Sequence, residues 1–198
     1  MAQWVQPVTL TGSRATLEPL SAGQAAGLRE AAADGDLHRL WYTSVPSPDR
    51  VEAEIARRLG LQEAGSMMPF CITDTRSGQP IGMTTYMNID QANRRLEIGS
   101  TWYRASVQRS GVNTECKHLL LTHAFETLEA VAVEFRTHFM NRQSRAAIER
   151  LGAKQDGILR SHMILPDGSL RDTVVYSIIR GEWPAVKANL QWMLDKPR

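Results

Sequence analysis

The chain has 198 residues, 42% of them hydrophobic and 22% charged, with a formal net charge of +2. That length suits one full hydrophobic core and strains a division into two small domains. Its 23 Lys and Arg residues are spread out, apart from doublets such as Arg57-Arg58 and Arg94-Arg95, which disfavours nucleic-acid binding driven by charge alone. Residues 1–20 lack a basic start followed by an apolar block, and no apolar run reaches the length of a membrane span. Neither a signal peptide nor a membrane helix is therefore expected, and the cytoplasm is the default. Cys71 and Cys116 sit in patterned segments with no CxxC, which reads as two buried thiols in a reducing compartment.

In chain order, Val8-Thr9-Leu10 and Arg14-Ala15-Thr16-Leu17 flank Thr11-Gly12-Ser13 and predict a strand pair or one bulged strand. Ser21 is a plausible cap for a helix through Ala33. A second helix is expected from Pro48-Asp49 through Val51, Ile55 and Leu59, where apolar residues recur every four positions. Strands follow at 69–74, 81–87 and 96–103, with Gly99 marking a bulge in the third. A long helix is predicted from about Thr114 to Leu128, a strand over 131–137 and a helix over 144–151. Two β-rich runs then meet at Pro166-Asp167-Gly168, a hairpin signal, and Glu182 to Leu194 predicts a terminal helix. Strands grouped in the middle, then helix–strand–helix, then a hairpin indicate an α+β fold: one central, mostly antiparallel sheet flanked by helices, in a single domain over 1–198.

Two polar loops feed helices in the second half. Gln108-Arg109-Ser110-Gly111-Val112-Asn113-Thr114 offers main-chain amides, with Gly111 permitting close approach and Asn113 or Thr114 available as cap. Folded over a helix start, such a loop makes a cradle for a pyrophosphate, helped by the charge of Arg109 and Lys117; a plain surface loop is the alternative. Asn141-Arg142-Gln143-Ser144 enters the second helix, which stops at Leu151-Gly152.

The order and spacing of these loops resemble the GNAT superfamily of acyl-CoA-dependent N-acyltransferases, over roughly residues 8–180. Gln-x-x-Gly-x-Asn at 108–113 is similar to that family's pyrophosphate loop, normally Gln/Arg-x-x-Gly-x-Gly/Ala, with Asn113 departing at the last position. Leu96-Glu97-Ile98-Gly99, and Asn141-x-x-Ser144 ending in Leu151-Gly152, are similar to the branch that acetylates ribosomal-protein N-termini. The resemblance implies acetyl-CoA as cosubstrate, held by residues 108–114. It also implies main-chain pairing of Thr101, Trp102 and Tyr103 with the pantetheine arm, and a hydrogen bond from Asn141 on its far side.

An α-amine with a pKa of about 8 is largely protonated at neutral pH and cannot attack a thioester until a base takes its proton. Glu97 is the candidate base; the bland reading is a solvent-facing glutamate paired with Arg94 or Arg95. A backbone amide freed by the bulge near Ser100 or Thr101 would face the developing oxyanion. Many superfamily members place a tyrosine acid in the last helix, but the corresponding residue here is Ile148. Ser144, which matches the branch's serine, is the donor to the departing thiol, or else a serine satisfying a helix-start amide. Tyr176 is a reserve acid or a core residue. His118 and His123 lie five apart, against a metal pair, and no metal is predicted. His138 lines the acceptor cleft or is a satisfied structural histidine. Trp41 and Tyr42 form an aromatic wall or pack the helices. The acceptor, a peptide N-terminus or a small-molecule amine, would be read by segments 37–42, 88–93 and 161–171. The hairpin residues Met163, Ile164 and Leu165 suit a homodimer contact. Two functional readings stand: an acetyltransferase acting by direct attack, or a non-catalytic acyl-CoA-binding sensor of the same fold, favoured by Ile148.

Overall fold

The computed structural model describes residues 3–196. The chain forms β1 (Leu10–Thr11), β2 (Ala15–Pro19), α1 (Ala25–Ala33), α2 (Val51–Glu63), β3 (Met67–Asp74), β4 (Pro80–Asp90) and β5 (Arg95–Tyr103). After these come α3 (Val112–Thr122), β6 (Ala132–His138), α4 (Arg142–Glu149), β7 (Lys154–Ile164), β8 (Leu170–Ile179) and α5 (Trp183–Asp195). The eight strands make one sheet in the order β1-β2-β3-β4-β5-β6-β8-β7. Every neighbouring pair is antiparallel except β5–β6. The expected α+β architecture with a mixed, mostly antiparallel sheet is what the chain adopts.

Two apolar layers hold the helices to the sheet. On one face α1 and α2 bury Leu28, Ala31, Val51 and Ile55 against Cys71, Met83 and Trp102. On the other, Cys116, Leu120 and Leu121 of α3 and Trp183, Val186 and Leu190 of α5 pack onto Phe70, Tyr86, Leu96, Ile98, Val133, Phe135 and Tyr176. Each fully buried Leu, Ile or Phe in such layers contributes roughly 1.5–3 kcal/mol. Alternation along β5 explains the assignment of faces, since Leu96, Ile98 and Tyr103 join the α3 layer while Trp102 joins the α1–α2 layer.

Several predicted boundaries shift. The first strand pair is Leu10–Thr11 with Ala15–Pro19, and Pro19 is its last paired residue, opposite Phe70. The long helix starts at Val112, not Thr114, and its tail from His123 to Thr127 loosens into a π-turn. The last hairpin closes where expected, with Gly168 at φ 81°. Its outer strand β7 is solvent-exposed along almost its whole length. Met163 and Ile164 are exposed at its end, Ile164 by 76%.

Candidate functional site

The sheet comes apart at its one parallel joint. β5 and β6 pair through only Arg95–Ala132, Leu96–Val133 and Glu97–Glu134. Beyond Glu97, β5 continues along β4 to Tyr103 while β6 continues along β8 to His138. The strands diverge, and the β5 edge from Ile98 to Tyr103 faces the resulting cleft. A bulge accompanies this divergence: Thr85 pairs with Gly99 but Met83 pairs with Trp102, so Ser100 and Thr101 together face Thr84. Such an insertion bends a strand and increases its twist. The left-handed residue is Ser100, at φ 48°, rather than Gly99. Gly99 answers a different need, because a Cβ there would lie 2.7 Å from Met87 Sδ and 2.9 Å from Glu97 Oε1.

Glu97 therefore sits hard against the bulge. It is only 4% exposed, so the solvent-facing reading fails. Arg94 pairs with Glu129 and Arg95 with Glu134. The Glu97 carboxylate accepts a 2.8 Å hydrogen bond from Asn88 Nδ2 and lies 3.5 Å from Arg136 Nε. Burial raises its pKa above the ordinary glutamate value, outweighing the opposing pull of Asn88 and Arg136.

At the other end of the β5 edge lies the helix mouth. Arg109 and Gly111 both take positive φ, 61° and 96°, and Gly111 is the N-cap of α3, which no side chain caps. Neither Asn113 nor Thr114 is the cap; both lie in the first helical turn, because the left-handed turn at Gly111 starts the helix earlier. Their side chains are tied elsewhere. Asn113 Oδ1 accepts from Tyr103 OH at 3.1 Å, and Thr114 Oγ1 accepts from Arg150 Nη2 at 3.1 Å. Gln108 Nε2 donates to Tyr103 O, and Ser110 Oγ donates to Val107 O. Val112 is buried in the core. The loop's polar side chains are largely spent on shaping it, which leaves its main-chain amides and the positive end of α3 as the candidate anion-binding surface. Lys117 does not add surface charge there: it is buried, with Nζ 2.9 Å from Thr101 Oγ1. Trp102 is buried under α1 and α2, so it can serve the cleft only through its main chain.

Across the cleft, Asn141 caps α4, its Oδ1 accepting from the Ser144 amide at 3.0 Å. The helix thus begins at Arg142 and owes its cap to Asn141, not to the Ser144 hydroxyl. Ser144 is half-buried and Ile148 buried. The Tyr176 hydroxyl donates to Glu149 at 2.8 Å and accepts from Arg145 at 3.1 Å, which engages it in structure. His138 is only half satisfied: Nδ1 accepts from the Met140 amide, while the buried Nε2 has no partner. The 55%-exposed Trp41 stands edge-on to that imidazole, ring centroids 5.0 Å apart, and so is placed beside His138 instead of packing the helices.

Sequence reasoning placed Asn88 only within the acceptor-reading segment 88–93, not against Glu97, and missed Arg136 and Arg58. The signal for Arg58 was present, since it interrupts the apolar stripe of α2 formed by Val51, Ile55 and Leu59. Among the described residues no cluster of three His, Cys, Asp or Glu side chains is arranged to hold a metal, and no helix is long and apolar enough to cross a membrane. Burial pushes both cysteine thiols up to about 12, which leaves them protonated and unreactive.

Comparison with known proteins converges on this architecture. Residues 14–154 match the family described as "Acetyltransferase (GNAT) domain". The protein named "Putative ribosomal N-acetyltransferase YdaF" from Bacillus subtilis (strain 168) is 36% identical over 110 residues, a match spanning 56% of this chain and 59% of that one. A GCN5-related N-acetyltransferase from Brucella melitensis is 30% identical, with a TM-score of 0.85 over 94% of this chain and 85% of that chain. RimJ of Mycobacterium smegmatis, solved with CoA-disulfide, shares the fold at a TM-score of 0.79 and 23% identity, over 94% of this chain and 95% of that one. A sheet parted at its parallel joint, an uncapped helix mouth at its edge and a family match over these very segments agree: the chain belongs to the GNAT acetyltransferase family.

Proposed function

We propose that the protein transfers an acetyl group from acetyl-CoA to a primary amine, of a peptide N-terminus or a small molecule, by direct attack. The observation that carries this reading is the buried Glu97 carboxylate, set against the bulge where the parted strands open the cleft. Acetyl-CoA supplies an activated thioester. Its diphosphate would lie on the amides at Gly111–Thr114, and its arm along the β5 edge at Thr101–Tyr103. A positive φ at Gly111 and an uncapped first turn of α3 suit that load.

Glu97 accepts a proton from the acceptor amine, directly or through one water. Burial raises its pKa, which makes the ionised carboxylate a stronger base than an exposed glutamate. An amide at the Ser100–Thr101 bulge donates to the thioester oxygen as negative charge grows there. Ser144, at the start of α4, protonates or positions the departing sulfur. A thiol of pKa about 8.5 leaves readily, so this aid is modest. Ser144→Ala should accordingly lower kcat by roughly tenfold with no loss of folding, because the helix cap uses the Ser144 amide and not its hydroxyl. An unchanged kcat would remove Ser144 from the reaction.

The function is tested by release of free thiol from acetyl-CoA across a panel of N-terminal peptides, amino acids, polyamines and aminoglycosides. Turnover on at least one amine is expected. Tight acetyl-CoA binding with no turnover on any of them would favour the sensor reading.

A further inference from the structure

We infer that Arg58 and Lys117 are positioning residues for acetyl transfer, two buried cations that grip the bulged Ser100–Thr101 dipeptide from opposite faces of the sheet. The inference rests on the cleft assignment made under the proposed function.

Arg58 comes from the α2 face and is 1% exposed. Its guanidinium donates to Glu54 Oε1 at 2.7 Å, to Thr85 Oγ1 at 2.8 Å and to the Ser100 carbonyl at 3.0 Å. Thr85 is the last residue of β4 in register before the bulge, opposite Gly99. One rigid fork therefore spans the register break and ties both strands to α2. Carbonyl and amide of a peptide unit point in opposite directions, so a bond to Ser100 O fixes where the Thr101 N–H points. A charge-assisted bond also polarises that peptide and strengthens its N–H as a donor.

Lys117 comes from the α3 face and is 6% exposed. Its ammonium donates to Thr101 Oγ1 at 2.9 Å, and that hydroxyl lies 2.7 Å from Thr84 Oγ1, the residue opposite the bulge. Among the described residues no carboxylate lies within ion-pair distance of Lys117. Of its titratable neighbours on α3 and β5, Cys116 raises its pKa by less than burial lowers it. The Cys116 thiol is pushed up to about 12, and burial lifts the Tyr103 phenol well above its usual value. Glu115 is turned away onto Ser13, Arg14 and Ala15. A buried cation without a counter-ion is costly unless negative charge arrives beside it. During transfer such charge develops on the thioester oxygen next to this dipeptide. Burial lowers the Lys117 pKa to about 8, so the charge is present at neutral pH and lost above it.

The test is steady-state kinetics with acetyl-CoA calorimetry on Arg58→Met, Lys117→Met and Lys117→Arg, beside wild type and Glu97→Gln. Both methionine variants should lose kcat by on the order of 10- to 100-fold, with the acetyl-CoA Kd moved no more than about threefold. Lys117→Arg should keep most of kcat and shift the alkaline fall in kcat, expected near pH 8, to higher pH, which a merely structural lysine would not do. Should Arg58→Met fail to fold because Glu54 is left unpaired, the double variant Glu54→Gln/Arg58→Met removes both charges and carries the same expectation. Methionine variants that are folded and turn over like wild type overturn the inference, as does an alkaline limb unmoved in Lys117→Arg. The inference fails alone when wild type is active and Glu97→Gln is impaired. Failure of wild type to bind acetyl-CoA overturns the cleft assignment with it.

Discussion

Replacing Glu97 by Gln should lower kcat at pH 7 by on the order of 10²- to 10⁴-fold while leaving acetyl-CoA affinity unchanged. The substitution keeps the shape of the side chain and removes its capacity to take a proton. Because the proposed cofactor cradle lies at the far end of β5 and in α3, binding has no reason to change. In wild type, kcat should rise with pH as Glu97 ionises, and burial places that rise above the range of an exposed glutamate. The variant should lack this acid limb. The sign for stability runs the other way from activity. A carboxyl whose folded pKa is raised contributes stability that is present below its unfolded pKa and lost as pH rises through the folded value. Once ionised, Glu97 thus burdens the fold, and Glu97→Gln should melt no lower than wild type on the alkaline side of that titration. Kinetics over pH 5–9 together with thermal melts check both halves. A wild-type rate would remove Glu97 from the mechanism.

Gly111→Val should raise the acetyl-CoA Kd by at least about tenfold, equivalent to roughly 1.4 kcal/mol. At φ 96° the Gly111 backbone lies in the left-handed region, where an L-residue costs about 1–2 kcal/mol and a β-branched one more. Relief of that strain would rotate the loop and withdraw the first-turn amides of α3 from their common focus. Bulk at the same position would also block close approach of a diphosphate. Calorimetry below the melting temperature separates this from simple unfolding, and normal affinity would count against the cradle. Free CoA should show the same loss as acetyl-CoA, because in the proposed pose the diphosphate and not the acetyl group meets this loop.

The sheet, its helices and both polar loops were legible in the sequence because each rests on local chemistry. Alternation marked the strands, a four-residue apolar spacing marked α2, and Asp167-Gly168 marked the hairpin. Glu97 stands out in the sequence because it sits just before the Gly99 bulge, in the strand expected to face the acyl group. What escaped depends on contacts between distant parts of the chain. Ser100 is no flag for a left-handed turn, and neighbouring Gly99 drew the bulge one residue early. The short joint between β5 and β6 leaves no local trace, since β6 goes on alternating to suit β8. Asn113 and Thr114 looked like caps because a polar residue before an apolar run usually is one, but the backbone at Gly111 pre-empts them. Arg58 broke a visible stripe, yet its meaning lay in a carbonyl 42 positions away.

The three-rung joint between β5 and β6 also divides labour along the chain. Everything proposed to hold the diphosphate lies before residue 115, on the arm ending in β5 and the head of α3. Arg136, His138, Asn141 and Ser144 belong to the arm that follows. Selection could therefore retune which amine is admitted through residues of the proposed acceptor cleft such as Trp41 and His138, while the amides at the head of α3 go on gripping the same donor. A lineage built this way can diversify its clients without relearning how to hold its currency.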